Sequence, residues 1–171
     1  ADKNPELDGD ARADVSRMIG IGAVKYADLS TDRIKDYVFD WDRMLAFEGN
    51  TAPYLQYAHA RICSIFRRSE VERNGVRGSA IGLAEPQERA LVQRLLAYPT
   101  ALADTMATYS PHKLCTYLFD LAQDFSSFYE SCPVMKADEP VRTSRLALCD
   151  VTARTIEHGL GLLGIAAPEA M

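Results

Sequence analysis

No apolar run in this chain approaches the ~20 residues of a membrane-spanning helix, so no membrane partner is expected. No basic segment followed by an apolar one opens it, so no signal peptide is read. The first residue is Ala1, not Met, and the sequence reads as a fragment. There are only four cysteines, Cys63, Cys115, Cys132 and Cys149, and no C-x-x-C pair. Each sits in an apolar helical context, which predicts buried free thiols in a reducing cytosol. The three histidines, His59, His112 and His158, match no metal-ligand spacing, so no metal site is expected.

Catalytic signatures are also missing. No G-x-S-x-G, H-E-x-x-H, phosphate-binding glycine loop or Cys-His-Asn pattern occurs. Gly20 and Gly22 lack the full spacing and the preceding strand of a dinucleotide fingerprint. Asp36, Asp40 and Asp42 lie close together, but in an irregular charged segment that suits solvation or ion pairs better than acid–base work. No catalytic residue is assigned. The net charge of −5 argues against indiscriminate binding to nucleic acid.

What is present suits one helical domain with a sizeable core. The spacing predicts a helix over 9–28, capped by Asp8 or Asp10, with Val15, Met18, Ile19 and Val24 as its apolar positions. Residues 29–48 are less regular. Tyr37 to Asp42 partly alternates and reads as extended. Val38, Phe39, Trp41, Met44, Leu45 and Phe47 form an apolar cluster that needs another surface.

A helix follows over 51–68, with Pro53 in its first turn. Residues 69–84 read as a loop. A further helix runs from Pro86 to about Tyr98 with Leu91, Leu95 and Leu96 as its apolar face, and another from Pro99 to about Tyr109. Residues 111–132 carry Leu114, Leu118, Leu121, Phe125, Phe128 and Cys132 at three- and four-residue spacing. Residues 134–140 form a linker. Residues 140–163 repeat the pattern with Leu146, Cys149, Ala153, Ile156, Leu160 and Leu163, and Gly164 supplies the stop. Short connections between such helices predict an all-α antiparallel helical bundle.

Two features stand off the core. Between 61 and 94 there are seven Arg against four Glu, which reads either as solvated helix ends and loop or as a basic patch. On the 51–68 helix, Tyr54, Tyr57 and Arg61 fall within roughly 60° of one another. Leu55, Ala58, Ile62 and Ile65 make a second stripe roughly a quarter-turn away. One stripe can enter a core. The other offers aromatic rings and a planar cation, which suit unstacked bases.

Three stretches carry a family resemblance. They are Tyr26-Ala27-Asp28-Leu29, then Asp36 to Leu45, and above all Glu48-Gly49-Asn50-Thr51-Ala52-Pro53-Tyr54-Leu55-Gln56-Tyr57-Ala58-His59-Ala60-Arg61. With Tyr117 to Phe125, Phe128-Tyr129 and the ending from Arg145 to Met171, they closely resemble the C-terminal part of arginyl-tRNA synthetases. The resemblance covers nearly the whole chain. It implies an all-α anticodon-binding domain over 49–171, attached to a class I synthetase. Residues 1–48 would connect it to a catalytic domain not in this chain, and the Val38–Phe47 cluster would face that domain.

It further implies that Tyr54, Tyr57, Arg61, Tyr129 and Met171 contact the anticodon loop of arginine tRNA. ATP, with Mg, would belong to the parent enzyme, and no cofactor to this chain. The parent would be cytoplasmic. The His-Ile-Gly-His and Lys-Met-Ser-Lys-Ser signatures are absent. His112-Lys113-Leu114-Cys115 stands where many members have Asp-Ala-Leu-Arg, and Pro133 stands near the place of a large aromatic. The alternative is a helical protein-interaction module without RNA binding, which the acidic balance favours.

Overall fold

A computed structural model describes residues 9–171; Asp8, one of the two expected caps of the first helix, lies outside them. Seven α-helices follow in order: α1 (Gly9–Leu29), α2 (Trp41–Met44), α3 (Ala52–Ser69), α4 (Pro86–Leu96), α5 (Tyr98–Thr108), α6 (Pro111–Ser131) and α7 (Val141–Leu162). A 3₁₀ turn, Arg73–Val76, lies in the loop before α4. The described residues contain no strand.

Helix starts follow local chemistry. Proline stands in the first turn of α3, α4, α5 and α6, where its missing N–H costs nothing and its fixed φ suits the helix. Thr51 caps α3: its Oγ1 accepts the Tyr54 N–H at 3.2 Å and donates to the Ala46 carbonyl at 2.7 Å. Gly164, at φ +68°, takes the left-handed conformation that ends α7.

The centre of the bundle is α6, on which α1, α3, α4, α5 and α7 all pack. Every residue of its expected stripe is buried, and so is every residue of the α7 stripe. Each large side chain taken out of water contributes about 1.5–3 kcal/mol, an upper estimate against a compact unfolded chain. Gly159 sets the α6–α7 approach, since a Cβ there would stand 2.6 Å from Leu118 Cδ2. All four cysteines are buried and free. Burial pushes the Cys115 and Cys149 thiols up to about 12, which leaves them unreactive.

Three expectations are corrected. Met18 and Val24 are exposed; the buried edge of α1 is Gly22, Ala23 and Tyr26. Small residues win there because α1 lies close to α3, and a Cβ at Gly22 would meet Gln56 Nε2 at 3.0 Å. Leu96 is 74% exposed, since the α4 face that meets the core is carried by Leu91, with Leu95 partly buried. Trp41 and Asp42 are helical, not extended: Asp40 Oδ1 accepts the Arg43 N–H at 3.1 Å and nucleates the single turn of α2.

The Val38–Phe47 cluster splits. Met44 turns inward, while Val38, Phe39, Trp41, Leu45 and Phe47 are exposed. The inner side of the same region is anchored by Tyr26, whose hydroxyl bridges Asn50 Oδ1 (2.6 Å) and the Cys115 carbonyl (2.9 Å). Burial raises the pKa of that hydroxyl and keeps it protonated.

Candidate nucleic-acid interface

The α3 stripe emerges where α3 meets α6. Tyr54 is half-buried, its ring tilted against Phe119 with centroids 5.7 Å apart and its hydroxyl 3.5 Å from Ser126 Oγ. It forms part of the wall between the helices. Tyr57, one turn on, is 44% exposed and meets Phe47 edge to face, at 6.3 Å and 87°. Arg61 lies a further turn along, its guanidinium carbon 4.5 Å from the centre of the Tyr129 ring on α6.

Tyr129 gathers the site. Its ring stacks on Phe125 at 6.0 Å and 28°, which ties it to the core, and its hydroxyl accepts from Arg68 Nη2 at 3.1 Å. Two arginines thus converge on one aromatic residue. The cation–π contact contributes about 0.5–2 kcal/mol and holds Arg61 in place before any ligand arrives. A guanidinium so held keeps a planar set of donors for a phosphate or a base edge. The open ring of Tyr57 supplies stacking surface beside it. Arg68 and Phe47 were missed in the sequence; Arg68 sits seven residues after Arg61, on the same helix face, which was the available signal.

Met171 comes from the chain end. The tail after α7 runs along a neighbouring flank of α3, in the same direction as the helix. Gln56 Nε2 donates to the Ala166 carbonyl (2.8 Å) and to the Met18 carbonyl (3.2 Å). His59 Nδ1 bonds the Pro168 carbonyl at 3.0 Å, and Arg67 Nη1 donates to the Glu169 carbonyl at 3.0 Å. A carbonyl only accepts, so His59 carries a proton on Nδ1. Arg67 is about 80° around the helix from Tyr57, so the tail lies beside the stripe as far as Glu169, and the half-buried Met171 ends it two residues later. The structure therefore brings Tyr54, Tyr57, Arg61 and Tyr129 to one α3–α6 surface and anchors the tail that carries Met171 alongside it.

The arginine-rich segment is not one patch. Arg94 is paired with Asp120 and Asp124, and Arg89 donates to the Leu83 and Ala84 carbonyls. Arg73 and Arg77 both bind Asp150 on α7. Only Arg61 and Arg68 reach Tyr129. Among the described residues, no group of His, Cys, Asp and Glu side chains could hold a metal ion, and no helix is long and apolar enough to cross a membrane.

Residues 55–171 match the sequence profile of the DALR anticodon binding domain, and residues 1–41 match that of the tRNA synthetases class I (R) catalytic domain. The chain is 56% identical to an arginine–tRNA ligase of Thermobifida fusca and 52% identical to one of Edwardsiella ictaluri. Both alignments cover all of this chain and 30% of the relative. Among solved structures, the arginyl-tRNA synthetase of Thermus thermophilus superposes with a TM-score of 0.88 at 37% identity, over 99% of this chain and 29% of that one. The Plasmodium falciparum enzyme gives 0.85 at 34% identity, over 92% of this chain and 28% of that one.

Proposed function

The chain belongs to the DALR anticodon binding domain family of arginyl-tRNA synthetases, and from that membership we propose that its α3 stripe binds the anticodon loop of arginine tRNA. The observation that carries this reading is the Arg61 guanidinium held over Tyr129, with the exposed Tyr57 ring one turn away. Tyr57 stacks on an unstacked base. Arg61 takes a phosphate or a base edge from its platform. Tyr54 shapes the groove wall and offers its hydroxyl, and Met171 closes the patch from the tail. Each stacking contact of this kind is worth about 1–3 kcal/mol.

The chain spans about 30% of the length of the curated relatives it matches. The activity proposed for the whole polypeptide is that of a class I arginine–tRNA ligase of the cytoplasm, which joins arginine to tRNA at the expense of ATP. ATP and Mg would be held upstream, and no residue of this chain is assigned to them. Residues 1–48, of which 1–41 match the catalytic-domain profile, serve as the connecting segment and 49–171 as the anticodon-binding domain. The exposed Val38, Phe39, Trp41, Leu45 and Phe47 support docking of that segment against the catalytic domain. A helical interaction module without RNA contacts finds no support among the relatives.

The test is a titration of arginine tRNA and an anticodon-substituted form against the wild-type chain and Tyr57→Ala. The wild type should prefer the authentic anticodon and the variant should lose most of that preference. Equal affinities in all four combinations would overturn the reading.

A further inference from the structure

The carboxylate of Asp150 is 2% exposed and takes three guanidiniums. Arg73 Nε lies 3.0 Å from Oδ1, while Arg77 Nε at 3.4 Å and Arg154 Nε at 3.0 Å share Oδ2. The other buried acid–base contact is different, since Glu88 takes the single guanidinium of Arg145. One buried carboxylate is neutralised by one cation, and Arg73, the least exposed of the three, suffices to tie the 3₁₀ turn to α7. The second and third leave a local excess of positive charge in a chain whose net charge is −5.

Each arginine reaches Asp150 through Nε, and their Nη groups make no hydrogen bond to the described residues. Arg77 and Arg154 are 47% and 48% exposed. On the Arg73 side, Glu70, Glu72 and Glu169 line the adjoining concavity with Arg67 and balance the charge. The Arg77 and Arg154 side is the exposed one, and the next acid along α7, Glu157, lies 3.9 Å from His59 Nε2. Two guanidiniums sharing one oxygen repel each other, and that repulsion is relieved when a second anion joins them. The fork geometry selects a planar or tetrahedral oxyanion.

We infer that Arg77 and Arg154, oriented by Asp150, form a phosphate-binding fork for the RNA backbone, separate from the α3 stripe. The inference rests on the RNA-binding reading above and adds a second contact to it. Arg73, the third guanidinium on Asp150, lines one concavity with Arg67 and Glu169, so the fork adjoins the C-terminal tail. Contact to phosphate positions the RNA without reading sequence.

The experiment measures binding by anisotropy over a salt series, with the longest polypeptide its gene encodes. Arginine tRNA and its anticodon-substituted form are the probes. Arg77→Gln/Arg154→Gln should weaken both tRNAs equally, by about tenfold at low salt, and flatten the log–log salt slope by about 0.7–0.9 for each phosphate lost. The single Arg77→Gln, in the loop, should show about half of the change and melt like the wild type, since Arg73 still holds Asp150. Tyr57→Ala should weaken binding and reduce the discrimination between the tRNAs while leaving the salt slope unchanged. Unchanged affinity and slope in the arginine variants, beside a responsive Tyr57→Ala, would overturn the phosphate fork and leave the stripe standing. Weakening confined to the authentic anticodon would also overturn it. No binding of either tRNA would overturn both readings.

Discussion

Arg61 rests on the ring of Tyr129, 4.5 Å from its centre, while Arg68 donates to the same residue's hydroxyl. The two contacts use different parts of Tyr129, so substitution separates them. Tyr129→Phe keeps the platform and loses one exposed hydrogen bond. Its affinity for arginine tRNA should fall by only about two- to fivefold, in line with ~0.5–1 kcal/mol. Tyr129→Leu removes the platform, and the affinity should fall by about tenfold or more, with the anticodon preference reduced. Equal dissociation constants for the two variants would show that the ring does not position Arg61.

The pair Glu88–Arg145 joins α4 to α7 within the bundle, at 2.8 Å and with both side chains nearly buried. Glu88 also accepts the Glu85 N–H at 2.9 Å, and Arg145 also donates to the Pro133 carbonyl. Glu88→Gln strands a buried guanidinium and should cost about 3–5 kcal/mol in urea unfolding. Replacing both residues by apolar ones of similar volume should cost much less.

That pair also sets an acid limit. Burial alone would raise the Glu88 carboxyl, but the Glu85 N–H and the Arg145 guanidinium outweigh it and hold its pKa below the ordinary value. A proton therefore binds the unfolded chain more readily than the folded one. The contribution is complete above the ordinary carboxylate range, near ~4.3, and is lost as pH falls through the lower folded value. Urea midpoints of wild type and Glu88→Gln should stay a constant distance apart from pH 7 to 5 and converge below about pH 4.

The tail depends on main-chain carbonyls held by α3. Its sequence matters less than the three side chains that hold it. Gln56→Ala, which removes two hydrogen bonds, should raise amide exchange over residues 165–171 by tenfold or more, on the scale of ~1–3 kcal/mol. His59→Ala should do the same nearer the chain end, where Pro168 is held. Exchange in α6 should not change. If tail and core accelerate together, these side chains support the whole bundle and not the tail.

Trp41 is the sole tryptophan and is 54% exposed, edge-on to Phe39 at 4.8 Å. Its emission in the 171-residue chain should be that of a wet indole. In a longer polypeptide carrying the catalytic domain, the maximum should move to the blue and acrylamide quenching should fall. An unchanged spectrum would place the docking surface elsewhere.

Periodicity made the long helices readable. α6 and α7 each bury one strip of large apolar residues, so Leu118, Phe125, Leu146 and Ile156 declare their own burial. The α3 stripe was legible for the converse reason, since Tyr57 and Arg61 break that pattern on one side. Where packing uses small residues the signal inverts. Gly22 and Ala23 bury the edge of α1 because they are small, whereas Met18 and Val24 look apolar and face out. The charge of residues 61–94 was legible as a sum but not as an arrangement. Asp120, Asp124 and Asp150, far along the chain, claim Arg94, Arg73 and Arg77. Partners so distant in sequence leave no local spacing to read.

Tyr26 bears on where this polypeptide can be cut. It belongs to α1, yet its ring lies in the same core as α3 and α6, and its hydroxyl joins the turn at Asn50 to the backbone at Cys115. A truncated chain that begins at Gly49, the start of the proposed binding domain, would have a hole the size of a phenol and two polar groups facing it. The smallest piece worth expressing for crystallisation or binding work therefore begins upstream of α1. The boundary proposed for binding and the boundary that folding requires therefore fall at different places in this chain.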